Sequence, residues 1–254
     1  MKNRSTINHE VEQMTSLLKR MIIIGRTRPD RANMTSTLID GCTKLGIPFT
    51  RVDGNMGDFV GMKGEGTVAV MVSSPERYPK ILAGCEMCSI PLVVATSNVP
   101  LQDGVTVPVI SAPNLSLLSC ATFDALPRLG TLIQSLGGQC FSAEIHQDSK
   151  KGKSPTAERI AGMFGVKPEN VGSVRSNSSA AVFSDVPPEH LSGFARIGVV
   201  AKLHGMTFKM MLESNGRESY LPGLLAIIEK FLQNQDKFGP GIWQADQMMF
   251  GDIK

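Results

Sequence analysis

His146, Lys150, Ser154 and Thr156 fall within one short stretch, Glu144–Arg159, reading EIHQDSKKGKSPTAER. Histidine donates or accepts a proton near neutral pH, and lysines supply point charges for an anion. Ser154 and Thr156 stand at the start of a helical pattern, Thr156–Phe164, and backbone N–H groups at a helix start lack intrahelical partners. A basic, hydroxyl-bearing loop of this kind is a binding place for a small carboxylate. The same residues also have a plainer reading, in which Lys150, Lys151 and Lys153 form a solvated loop and Ser154 and Thr156 only cap the helix.

The loop must be held by what precedes it, an extended segment Gln139–Ile145 that follows a long helical pattern, Ser116–Leu136, closed by Gly137–Gly138. Upstream, strand-like runs at Met21–Ile24, Phe49–Val52, Thr67–Val72, Pro91–Ala95 and Val107–Ile110 alternate with helical patterns from about Arg31 to Leu45 and from Ser74 to Ser89. That alternation predicts a mostly parallel sheet whose ligand crevice lies beyond the strand carboxyl ends, where Ser73, Thr96 and Asn114 sit. Downstream the period changes. Asn170–Arg175 reads as a short strand, and Ala195–Leu203 and Met206–Glu213 as consecutive strands joined near His204–Gly205, with His204 a structural residue. A helix over Tyr220–Phe231 follows, and the tail carries Trp243, Met248, Met249 and Phe250, too much apolar surface to hang free.

The expected fold is therefore α/β: a Rossmann-like parallel-sheet domain followed by an α+β domain with a mixed or antiparallel sheet. The expected divisions are an N-terminal extension over 1–20 with a short amphipathic helix from His9, a nucleotide-type domain over 21–115, an α+β domain over 116–238, and a closing segment over 239–254.

The first β-α-β turn lacks the G-x-G-x-x-G expected of a dinucleotide cradle, because Gly25 is followed by RTRPDR. Arg26, Arg28 and Arg31 either contact phosphates with their side chains or form a basic surface loop. Arg51 and Asp53 close the second strand, where adenosine ribose is read. An arginine there favours the 2′-phosphate of NADPH and Asp53 the ribose hydroxyls of NADH, so both cofactors stay open; Asp53 also reads as a plain turn acid before Gly54.

Composition limits the remaining classes. The 26 basic and 23 acidic residues give a net charge of +3 with no concentrated Lys/Arg block, which argues against nucleic acid as a partner. No apolar run reaches the roughly 18–20 residues of a membrane helix, and the odd count of 5 cysteines suggests a reducing, cytoplasmic setting. Cys85 and Cys88 have C-x-x-C spacing without a second pair or a suitably spaced histidine. They are expected to be buried structural thiols, and no metal is expected.

Several of these pieces together resemble one family, the dihydrodipicolinate (4-hydroxy-tetrahydrodipicolinate) reductases of lysine biosynthesis. Glu144–Ala157 is similar to the family's E-x-H-H-x-x-K-x-D-A-P-S-G-T-A segment with one residue deleted, Val72–Glu76 to D-F-[TS]-x-P-E, and Ala95–Asn98 to G-T-T-G. Ala112–Ser116 resembles A-P-N-F-S, Arg217–Leu224 the S-R-x-x-F-x-x-G-A segment, and Gly241–Asp246 the closing G-x-Y-x-M-x-D. The resemblance implies an NAD(P)H-dependent oxidoreductase acting on a small cyclic imine or enamine carboxylate. It makes His146 the proton donor and Lys150 the catalytic lysine, with Gln147, Ser154, Thr156 and Arg217 at the substrate. Gly25, Arg26, Arg51, Asp53, Ser73, Thr96 and Asn114 would then serve the cofactor, and the chain would form a homotetramer through its second domain. Three departures stand against a simple transfer: the glycine-rich nucleotide loop is missing, Gln147 replaces the second histidine, and Gly152 replaces the aspartate of K-x-D. A reductase-fold homologue that has lost cofactor use and acts as a binding or assembly protein is the alternative.

Overall fold

The computed structural model describes residues 17–27, 33–62, 64–146, 152–175, 194–216 and 220–251. The contacts divide the chain into two compact units, residues 1–120 with 220–254, and residues 121–219.

The first unit is built on a six-stranded sheet of β1 (Arg20–Ile24), β2 (Phe49–Val52), β3 (Thr67–Met71), β4 (Leu92–Val94), β5 (Pro108–Ser111) and β10 (Gly241–Gln244). The order is β10-β5-β4-β3-β1-β2, and every pairing is parallel. A parallel sheet is covered on both faces, so its strands are apolar throughout instead of alternating. β3 and β4 are buried at every position, and β1 at all but Arg20. Successive side chains feed two layers. Met21, Ile23, Val68, Val70, Val93 and Ile110 pack with α1 (Met34–Leu45) and α5 (Tyr220–Gln233). Ile22, Ile24, Ala69, Met71, Leu92 and Val109 pack with Phe59 and α2 (Tyr78–Met87).

α5 was expected in the second domain, and the structure places it in the first unit. Its sequence explains the difference. Leu221, Leu224, Leu225, Ile227, Ile228, Phe231 and Leu232 are all buried, more than a half-exposed helix needs. Gly223 lets its backbone lie on the Leu115 carbonyl, where an added Cβ would sit 1.6 Å from the oxygen. The apolar tail extends the same sheet, with Trp243 in register with Ile110 and its ring edge-on to Phe238 at 5.1 Å. α6 (Ala245–Phe250) follows.

The second unit carries a four-stranded sheet of β6 (Gln139–His146), β7 (Gly172–Arg175), β8 (Phe194–Leu203) and β9 (Met206–Asn215), in the order β7-β6-β8-β9. β6 runs parallel to β7 and antiparallel to β8, and β8 and β9 form an antiparallel hairpin, so the sheet is mixed. His204 (φ 46) and Gly205 (φ 80) make the tight turn of that hairpin, which gives His204 a backbone role. One face packs on α3 (Leu117–Ser135) and α4 (Pro155–Met163) through Phe123, Ile133, Ile160, Phe164, Ile197 and Val199. On the other face Phe141, Val174 and Met211 are exposed at 57%, 41% and 63%. The expectation of a parallel α/β domain followed by a mixed-sheet domain matches this architecture. Among the described residues no helix is long and apolar enough to cross a membrane. The helix expected from His9 lies largely outside the described residues.

Candidate functional site

The two-residue period of β6 places Glu144 and His146 on its helix-covered face, and the parallel register with β7 sets Ser173 beside Glu144 and Arg175 beside His146. α4 brings Ser154 to the same point. Glu144 is wholly buried there. Its carboxylate accepts from the Ser154 backbone N–H at 3.3 and 3.1 Å, from Ser173 Oγ at 3.1 Å and from an Arg175 guanidinium nitrogen at 2.6 Å. That nitrogen also donates to the Gly152 carbonyl at 2.5 Å.

Burial alone would raise the pKa of Glu144, but the neighbouring His146 and Arg175 outweigh it and hold the carboxyl down at about 2. It is therefore ionised at neutral pH. The α4 start, expected to seat a substrate carboxylate, seats this internal one: the Ser154 N–H is spent on Glu144, and the Ser154 side chain makes no capping bond.

His146 is 7% exposed, and its Nε2 lies 3.2 Å from Glu144 Oε2. The contact is one of charge, because the ring N–H direction misses the oxygen and the fully buried Nε2 has no hydrogen-bond partner among the described residues. A buried polar atom without a hydrogen bond is uncommon, and here the Glu144 carboxylate beside it offsets the cost by charge. Thr156 stands half-buried in the first turn of α4. Lys153, one of the loop lysines, is tied instead to the Pro168 and Glu169 carbonyls at 2.6 and 3.3 Å. Gln147, Lys150, Lys151 and Arg217 lie outside the described residues.

In the first unit the chain order reverses between β1 and β3, the switch point where open parallel sheets bind nucleotides. Gly25 sits there with no spare room, since an added Cβ would come 2.4 Å from Thr35 Oγ1 and 3.0 Å from Val72. Its carbonyl accepts from Arg51 Nε at 3.1 Å, and the Arg51 guanidinium pairs with the Asp53 carboxylate, so these two strand-end residues hold each other. Arg26 is exposed, and its carbonyl accepts from Asn33 Nδ2 at 2.9 Å. Asn33 and Ser36 form a capping box that closes the start of α1: Asn33 Oδ1 accepts from the Ser36 N–H at 2.9 Å and Ser36 Oγ from the Asn33 N–H at 3.0 Å. Thr96 Oγ1 donates to the Ser73 carbonyl at 2.7 Å, linking the loops after β3 and β4, and Asn114 Oδ1 accepts from the Ser116 N–H at 3.1 Å. Arg28 and Arg31 lie outside the described residues.

No protein-family model and no curated protein sequence matches the chain. Among solved structures it is similar to dipicolinate-bound dihydrodipicolinate reductase from Paenisporosarcina sp. TG-14, at TM-score 0.60 and 15% identity, over 89% of this chain and 97% of that one. The chains share a fold. A second similarity, at TM-score 0.51 and 10% identity, is to saccharopine dehydrogenase (L-Glu forming) from Saccharomyces cerevisiae, over 97% of this chain and 94% of that one.

Among the described residues of this turn, the Ser36 N–H is taken by Asn33 and Gly25 is packed on Thr35, so a dinucleotide there would rely on side chains, with Arg26 for phosphate and Arg51 and Asp53 for ribose. Glu144, Ser173 and Arg175 were not singled out from the sequence. Glu144 had a usable signal, being two residues from His146 on a strand. Arg175 had none, because its place depends on a register between strands far apart in the chain.

Proposed function

We propose that the chain is an NAD(P)H-dependent reductase of a small cyclic imine or enamine carboxylate, of the dihydrodipicolinate reductase kind. The observation that carries this reading is the His146 ring, held beside the buried Glu144–Arg175 pair at the end of β6, in a fold shared with a reductase that binds the cyclic dicarboxylate dipicolinate.

A reduced nicotinamide, when bound, supplies the hydride for the carbon–nitrogen double bond and leaves oxidised. The chain's own residues do the rest. His146 gives the proton that completes the reduction and takes one back from water, and Lys150 offsets negative charge on the substrate. Gln147, the Ser154 hydroxyl, Thr156 and Arg217 hold the substrate carboxylates. Gln147 hydrogen-bonds in both senses but delivers no proton at neutral pH, so a single histidine carries that step. On the cofactor side Arg26 meets phosphate, Arg51 and Asp53 meet the adenosine ribose, and Gly25, Ser73, Thr96 and Asn114 shape the strand ends. We further propose that the protein is cytoplasmic, serves amino-acid (lysine) biosynthesis, and assembles as a homotetramer through the exposed face bearing Phe141 and Met211.

The self-capped start of α1 and the Arg51–Asp53 pair favour a second reading, a reductase-fold binding or assembly protein without cofactor. The two part on turnover. On the first reading, cyclic imino acids drive NADPH or NADH oxidation that His146→Gln and Lys150→Ala abolish while cofactor binding persists; absence of substrate-dependent oxidation with either cofactor refutes it.

A further inference from the structure

We infer that Glu144 is a positioning residue that fixes the proton of His146 on Nε2 and so makes Nδ1 the nitrogen that exchanges a proton with the ligand. The inference rests on the reading of His146 as the proton donor. Nε2 is 3.2 Å from a carboxylate oxygen that is itself wholly buried. A bare nitrogen lone pair held that close to an anion in a low-dielectric interior is repulsive, whereas an N–H is attractive there even when it is not aimed along the line to the oxygen. Whether the ring is neutral or charged, Nε2 therefore keeps its hydrogen.

Access points the same way. The His146 side chain retains 9% of its surface, while Nε2 retains none, so what a ligand meets of the ring is not Nε2. Glu144 in turn cannot swing away. The Ser154 N–H, Ser173 Oγ and Arg175 converge on it from α4 and β7. Across the sheet His146 pairs with Arg175 on β7 and Ala195 on β8, and Glu144 lies two residues before it on the same strand face. Arg175 is a cation and presents no acceptor to the ring. During proton transfer the imidazolium releases its Nδ1 hydrogen to the ligand, leaving neutral imidazole with hydrogen on Nε2, and a proton from water restores it.

The test needs neither substrate nor cofactor, so its failure is separable from failure of the reductase reading. Long-range 1H–15N spectra of the labelled full chain at alkaline pH report which ring nitrogen is protonated, and loss of a signal in His146→Gln assigns the residue. The wild-type ring should be a single Nε2–H tautomer; an Nδ1–H tautomer overturns the proposal. Glu144→Leu combined with Arg175→Met removes both charges without stranding either, and should let the minor Nδ1–H tautomer appear beside Nε2–H, as it does for a histidine side chain in water. A single unchanged tautomer in that variant also overturns the proposal. A role for Glu144 limited to holding the fold would lower stability without moving the tautomer ratio.

Discussion

Glu144→Gln keeps the shape of the side chain and removes its charge, which separates what the carboxylate does electrostatically from what it does by packing. The Glu144 carboxyl titrates at about 2 in the folded chain against an ordinary 4.5, a gap of roughly 2.5 pH units. At about 1.4 kcal/mol per unit this makes the ionised carboxylate worth on the order of 3 kcal/mol to the second unit. The sign follows from the depressed folded value. The stabilisation is complete above the unfolded pKa near 4.5 and is lost as pH falls through about 2, where both states are protonated. Hydrogen exchange in β6 and β8, followed through urea titrations at a series of pH values, reads the strands around Glu144 directly. The wild type should lose about 3 kcal/mol of opening free energy between neutral and strongly acidic pH that Glu144→Gln does not lose, so the two curves converge. Curves that stay parallel across the acid range would refute the electrostatic account of Glu144.

Gly223→Ala puts a Cβ into the Leu115 carbonyl, and because both sides of that contact are backbone it should destabilise the first unit by several kcal/mol, read as a lowered urea midpoint of Trp243 fluorescence. Burial pushes the Cys42 thiol up to about 11 and the Cys85 thiol up to about 12, so a thiol-disulfide reagent at neutral pH should label the half-buried Cys140 well before either, which peptide mapping after a short exposure checks. Asp53→Ala frees the Arg51 guanidinium from its carboxylate partner; if that arginine reads the ribose, the affinity ratio of NADPH to NADH should rise about tenfold by calorimetry. Phe141→Lys with Met211→Lys should lower the mass found by sedimentation if the exposed face of the second sheet joins copies of the chain.

The architecture was legible because it rests on local pattern. Uninterrupted apolar runs such as Met21–Ile24 and Thr67–Met71 mark strands covered on both faces, and the Phe208/Met210/Leu212 alternation marks a strand with one face on a core. The place of α5 was not legible. Chain order puts it after the second sheet, and only the packing of Gly223 on Leu115 shows which core it completes. In the candidate site, the spacing of His146 and Ser154 set them in one stretch, and the fold brings both against the Glu144 carboxylate. What it could not supply was the internal anion, because the Glu144–Arg175 pair joins residues whose distance in sequence is spanned by helix, turn and strand. Arg51 and Asp53 are the converse case. As separate letters each suggests a ribose contact, and only in the fold do they hold one another.

The measurement closest to the central claim is calorimetric titration of the full chain with NADPH and, in parallel, NADH, each repeated in the presence of dipicolinate as a cyclic dicarboxylate. The account predicts saturable, one-to-one binding of at least one cofactor, with dipicolinate binding weakened by Lys150→Ala. Absence of heat from both cofactors, with and without dipicolinate, would contradict it and leave a reductase fold that has given up the nucleotide.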